Sequence, residues 1–243
     1  MASSSSDERQ QPTYETLLAK VLKGDLTIDF AAFRLAYTRT EEFCTGAFLS
    51  RQDVSEIEVL CHQRDFSNAL ALAKKALAKN FADVNAHYVA AIAFMCTGNE
   101  KVWYHRNLFE KLLESIKIGC DGKTLETAHV VISVPEEYAL LDHLGYMMEM
   151  QALLVPGNGH RYDRMSIVNR RTNEKAVFYF QIDAVFSAGN QKCANCYKPE
   201  CFLGEGNHLM RCSNCHKVKY CSKDCQREHW KEAHKDLCQG KQN

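Results

Sequence analysis

From residue 193 onward, cysteines and one histidine recur in pairs: Cys193 and Cys196, Cys212 and Cys215, Cys221 and Cys225, His234 and Cys238. Two residues between cysteines let a tight knuckle aim both sulfurs at one ion. The two later pairs are spaced four apart, which puts each pair on one face of a helical turn. Eight ligands suit two tetrahedral zinc ions and leave no position open for water, so the metal is structural and not catalytic. A segment of about fifty residues cannot bury a sufficient core. Structural zinc supplies about 10–16 kcal/mol of apparent binding energy in such modules. Cys201, His208, His216 and His229 stand within or beside the array as competing ligands. Periodicity alone does not exclude His229, four after Cys225. His234 is favoured because it pairs with Cys238, which otherwise has no partner.

The ligand order and the run "YCSKDCQREHWKEAHKDLC" resemble the MYND-type zinc finger over residues 193–238. That resemblance implies a double-zinc cross-brace. Cys193, Cys196, Cys221 and Cys225 would hold one zinc, and Cys212, Cys215, His234 and Cys238 the other. A RING finger, the nearest rival, places its histidine earlier and ends in C-x2-C. The resemblance also implies a protein-interaction module, since several MYND fingers recognise proline-containing peptides. The family's groove positions fall on Gln226, Trp230 and Ser213. A tryptophan face packs well on proline rings, and a glutamine amide can bond extended backbone. Trp230 can equally serve to cap the small core between the zincs.

The rest of the chain reads as α+β. Residues 1–13 are expected to be a disordered tail, 14–186 a folded domain, 187–192 a linker and 239–243 a second tail. Helical periodicity begins at Tyr14 and resumes in "TIDFAAFRLAYTRT". Four further helices are expected at about 53–63, 66–79, 83–96 and 100–117. The two breaks, at Arg64-Asp65 and Gly98-Asn99, lie 34 residues apart, the period of a tetratricopeptide hairpin. Ala69, Ala73, Ala76, Ala86, Ala90 and Ala93 supply the small residues that close helix packing needs. "AHVVISV" (128–134) and "YMMEMQALLV" (146–155) read as strands. "RMSIVNR" and "AVFYFQIDAVF" read as a hairpin turning at 172–175, completing a small antiparallel sheet.

"GCDGKTLETAHVVISVPEEY" (119–138), with "DLTIDFAAFRLAY" upstream and "RYD" and "VFYF" downstream, resembles an uncharacterised bacterial domain family over about residues 14–182. That family brings no activity. Gly122-Lys123-Thr124 lacks the upstream glycine of a phosphate loop. The Asp-Gly turn therefore reads as the end of the helical part. His87 and His105 flank the turn near residue 98 and could meet across it, with Glu136, Glu137 and Asp163 completing a polar site. The alternative is that these are surface or hydrogen-bonded histidines with no shared site. Cys44, Cys61, Cys96 and Cys120 have no ligand spacing and read as small core hydrophobes.

Thirty Lys and Arg balance thirty Asp and Glu, which points to no polyanionic partner. The segment from residue 191 is mildly basic, with ten Lys and Arg against six Asp and Glu. Zinc-bound thiolates would cancel much of that excess, so nucleic acid is disfavoured. No apolar run spans a bilayer, and "MASSSSDERQQP" has no signal-peptide core. Twelve cysteines then read as thiols or metal ligands inside a cell, in cytoplasm or nucleus. The leading expectation is a non-enzymatic zinc-binding adaptor whose finger docks proline-containing segments of a partner. The alternative is an enzyme with its active site in residues 14–186 and the finger as a targeting module. MYND-linked lysine methyltransferases are poor rivals, because no SET-like Asn-His-x-Cys signature is present.

Overall fold

The computed structural model describes residues 12–44, 48–185, 193–196 and 208–238. The expected linker 187–192, the tail 239–243 and nearly all of the tail 1–13 lie outside the described residues. So do Cys201 and the Cys44 side chain.

Helices come first: α1 (Tyr14–Leu22), α2 (Phe30–Tyr37), α3 (Glu41–Cys44), α4 (Arg51–His62), α5 (Phe66–Lys79), α6 (Val84–Cys96) and α7 (Lys101–Lys117). Side-chain caps fix several starts. Asp29 accepts from Ala32 N–H, and Ser50 and Asp53 form a reciprocal capping box on α4. Ala69, Ala73, Ala86, Ala90 and Ala93 are fully buried, so α5 and α6 approach closely in a core that also holds Ile57 and Phe94. Successive helices from α4 to α7 pack on one another. Pairwise packing does not by itself make them tetratricopeptide repeats.

A second core lies between α1, α2, α7 and the sheet, around Phe33, Tyr37, Leu112, Leu140 and Phe180. The sheet comprises β1 (His129–Val130), β2 (Tyr146–Leu154), β3 (Tyr162–Asn169) and β4 (Lys175–Gln181), with α8 (Val134–His143) between β1 and β2. Its order is β1-β4-β3-β2. Here the expectation of an antiparallel sheet is corrected. β1 pairs with β4 in parallel, so the sheet is mixed. Strands that are not joined directly are free to run parallel, because α8, β2 and β3 all intervene. β1 is also shorter than the sequence suggests. Ile132 N–H is diverted to Glu136 Oε2 at 2.8 Å, and Ser133 is already the N-cap of α8.

The Asp121-Gly122 turn is structural. Asp121 Oδ1 accepts from Lys123 N–H and from Thr127 Oγ1 at 3.0 and 2.7 Å. Gly122 bonds to Thr127 on one side and receives Tyr179 N–H on the other, which ties the turn to β4. Its φ is +71°, and a Cβ there would lie 2.6 Å from the His129 ring. Only glycine fits.

Two acidic neighbours on α8 meet different fates. Glu136 binds buried Arg34, whereas both Glu137 carboxyl oxygens are buried beside the Asp163 carboxyl, with no cation to pair them among the described residues. Burial first, and the Asp163 carboxyl second, push Glu137 up to about 9. Its folded value stands above the ordinary 4.5. Its contribution to stability is therefore present in acid and is lost as pH rises towards 9. Glu137→Gln should flatten the decline in unfolding free energy between about pH 5 and pH 9. Urea unfolding across that range checks this, and a decline unchanged in the variant would refute it.

No helix among the described residues is long and apolar enough to cross a membrane.

Candidate metal centre and interaction surface

The C-terminal module is built from β5 (Met210–Arg211), β6 (Lys219–Tyr220), α9 (Lys223–His229), a π-helical stretch (Trp230–His234) and α10 (Lys235–Leu237). β5 and β6 pair antiparallel, with Cys212 N–H bonding to Val218 O and Ala194 N–H to Lys219 O. This ribbon presents the knuckle cysteines. His216, with φ 55°, turns the chain after Cys215. Ser222 caps α9 by accepting from Cys225 N–H at 3.1 Å, which sets the angle at which Cys225 returns towards Cys221.

Two groups of side chains converge. Cys193, Cys196, Cys221 and Cys225 form one, and Cys212, Cys215, His234 and Cys238 the other, with ligand atoms inside each group within 4.8 Å of one another. Cys221 Sγ lies 3.4 Å from Cys196 Sγ and 3.5 Å from Cys225 Sγ. Cys212 and Cys238 sulfurs are 3.9 Å apart, and His234 Nε2 is 3.4 Å from both Cys212 and Cys215 Sγ. A tetrahedral zinc with Zn–S near ~2.3 Å puts its sulfurs about 3.8 Å apart. The observed edges fit that figure. Burial, followed by hydrogen bonds among the crowded sulfurs, pushes the Cys221 thiol up to about 12. A divalent cation at the centre is what allows such a group to ionise. The two clusters fit two structural zinc ions, which supply crosslinks and no open coordination site.

His229 faces elsewhere. Its Nδ1 is 3.1 Å from Tyr220 Oη, and its ring stacks on His234 at 5.4 Å. Tyr220 is 0% exposed and shares the module's small core with Cys193, Leu209 and Cys212. Sequence reasoning passed over Tyr220. Its position directly before Cys221, in a module with few large apolar residues, was the available signal.

Gln226 and Trp230 are half-buried, and Trp230 N–H bonds back to Gln226 O, so they share one face. Trp230 meets the His234 ring edge-on at 5.8 Å. Ser213 is exposed in the knuckle between Cys212 and Cys215.

The polar constellation imagined in residues 14–186 separates into three places. His87 and His105 do meet, Nδ1 to Nδ1 at 3.0 Å, with His87 Nε2 2.9 Å from Phe81 O. No carboxylate joins them among the described residues. Glu136 serves Arg34, while Asp163 pairs with Gln151 and neighbours Glu137. Of the other cysteines, Cys61 is buried, and Cys120 donates to Ile116 O at 3.2 Å. Cys96 is exposed, against the expectation of a core position.

Comparison with known proteins finds two families. The one described as Domain of unknown function (DUF4919) matches residues 3–190, and the MYND finger matches residues 192–238. A SET and MYND domain-containing protein of Dictyostelium discoideum is 52% identical over 46 residues, 19% of this chain and 8% of that protein. Ubiquitin C-terminal hydrolase 15 of Oryza sativa subsp. japonica is 48% identical over 40 residues, 16% of this chain and 4% of that protein. Its namesake in Arabidopsis thaliana is 46% identical over 46 residues, 19% of this chain and 4% of that protein. The chain thus spans less than a tenth of the length of these relatives. No solved structure matches.

Proposed function

The chain belongs to the DUF4919 family and carries a MYND finger, and we propose that it acts as an adaptor whose finger docks proline-containing segments of a partner protein. The observation that carries this reading is the Gln226–Trp230 face. Both side chains are only half-buried, and neither the amide nor the indole N–H has a hydrogen-bond partner among the described residues. An indole face suits proline rings, while the amide can pair with the extended backbone beside them. Ser213 is assigned to the edge of the same groove. Eight ligands held by two zincs keep this surface rigid, which lowers the ordering cost of binding. Reduced thiols at that density suit an intracellular protein.

The test uses the full zinc-loaded chain against an array of proline-containing peptides. Trp230→Ala should weaken the best binders by roughly tenfold or more, the range of an aromatic anchor, while zinc content stays at two per chain. Undiminished binding would remove Trp230 from the groove. Lost zinc would instead assign the residue to packing on His234.

A further inference from the structure

The buried histidine pair leaves one lone pair unassigned. A carbonyl can only accept, so His87 Nε2 carries a proton and donates it to Phe81 O. Burial pushes His87 down to about 3 and His105 down to about 4, so both rings are neutral near pH 7. With one proton each, His87 Nδ1 must accept and His105 Nδ1 must donate in their 3.0 Å contact. His105 Nε2 is then a bare acceptor, with no partner among the described residues. The ring is fixed by stacking on Phe94 at 5.3 Å and by the edge of Tyr104 at 5.4 Å.

His105 is 7% exposed and forms part of the wall of a cleft of about 580 Å³ between α1, α5, α6 and α7. That volume is within the usual range of small-molecule pockets. Leu18, Leu22, Leu77 and Phe94 make much of the wall apolar. Lys101, one turn before His105 on α7, stands near enough to act on its charge. With Lys74 and Lys79 it outnumbers the lining acids Glu15 and Glu42. An apolar wall, an excess of ammonium groups and one immobile acceptor together describe a ligand.

We propose that this cleft binds a small hydroxy acid with an apolar body, its hydroxyl donating to His105 Nε2, its carboxylate beside Lys101 and its hydrocarbon against Leu18, Leu77 and Phe94. The His87–Phe81 relay acts as a positioning device, holding the tautomer that keeps Nε2 free to accept. This site is independent of the zinc finger and of any peptide docked there.

Three phenol acids of increasing length serve as probes: 4-hydroxybenzoate, 4-hydroxyphenylacetate and 3-(4-hydroxyphenyl)propanoate. Each is titrated into the full chain by calorimetry and by imidazole NMR. At least one should bind and shift the His105 ring nitrogens. Its O-methyl ether, which cannot donate, should bind about tenfold more weakly, the loss of one neutral hydrogen bond. Lys101→Gln, a change at an exposed position, should weaken the phenol acid several-fold without altering the preference for phenol over ether. Binding of ether and phenol alike would overturn the proposal. So would the absence of any binding up to about 10 mM, near the weak limit for ligands of this size, or shifts confined to residues outside the cleft.

Discussion

Chelating the metal from the full chain should release two zinc ions per molecule and open residues 193–238 to protease. Among the described residues the module has almost nothing else to hold it. Its buried core consists of Cys193, Leu209, Cys212 and Tyr220, and two of these are themselves ligands. Zinc binding worth about 10–16 kcal/mol in comparable fingers exceeds anything that so small a core supplies. Single substitutions should behave almost as severely. Cys225→Ser breaks the first cluster, but Tyr220, packed beside both Cys193 and Cys212, carries the damage to the second. The expected zinc content of that variant is therefore below one per chain. Colorimetric zinc release from purified protein measures it. A stable variant holding one full zinc would show that the clusters fold independently, and one zinc in the unsubstituted chain would contradict the ligand assignment. His229→Ala is the internal contrast. It loses the bond to Tyr220 Oη and the stacking on His234, so it should weaken the module while keeping both ions.

What made the finger legible was covalent spacing, because sulfur-to-metal distances tolerate little variation and the chain must bring its ligands in pairs. The helices from Arg51 to Lys117 were legible for a related reason. Their apolar periodicity and their alanines reflect contacts with sequence neighbours, and the ends at Arg64-Asp65 and Gly98-Asn99 are local backbone events. The parallel pairing of His129 with Phe180 depends on partners some fifty residues apart, and no pattern within "AHVVISV" encodes it. The π-helical stretch from Trp230 to His234 was equally hidden. An i,i+4 pattern fits His234 and Cys238, but nothing in it announces the wider turn before them. The meeting of His87 and His105 could be anticipated from the turn between their helices. The neutral tautomer that frees His105 Nε2 could not, since it follows from the Phe81 carbonyl. Burial of charge was not legible either. "AFRLAY" and "PEEY" look solvated, yet Arg34, Glu136 and Glu137 are all buried.

Arg34→Met should cost about 3–5 kcal/mol of folding stability, the range seen when one member of a buried ion pair is removed. The guanidinium makes a two-pronged contact with Glu136, Nε to Oε1 at 2.8 Å and Nη2 to Oε2 at 2.6 Å. Its remaining donors reach Val130 O at 2.9 Å and Ser115 Oγ at 3.3 Å. One side chain from α2 thereby secures α7, β1 and α8. Both partners are 2% exposed, so water cannot replace what the substitution removes. Methionine fills most of the volume but leaves Glu136 as a buried carboxylate whose one remaining named donor is Ile132 N–H. A loss of that size is a large part of the 5–15 kcal/mol typical of a domain. Glu136→Gln should cost less, because the amide oxygen still accepts from Arg34, although the cation loses its counter-charge. The double variant Arg34→Met, Glu136→Leu should recover part of the loss, with Val130 O and Ile132 N–H still unpaired. Urea unfolding of the unsubstituted chain and the three variants measures these losses. If each single variant cost under about 1 kcal/mol, the pair would be behaving like a surface salt bridge, and the joint between helices and sheet would have to lie elsewhere.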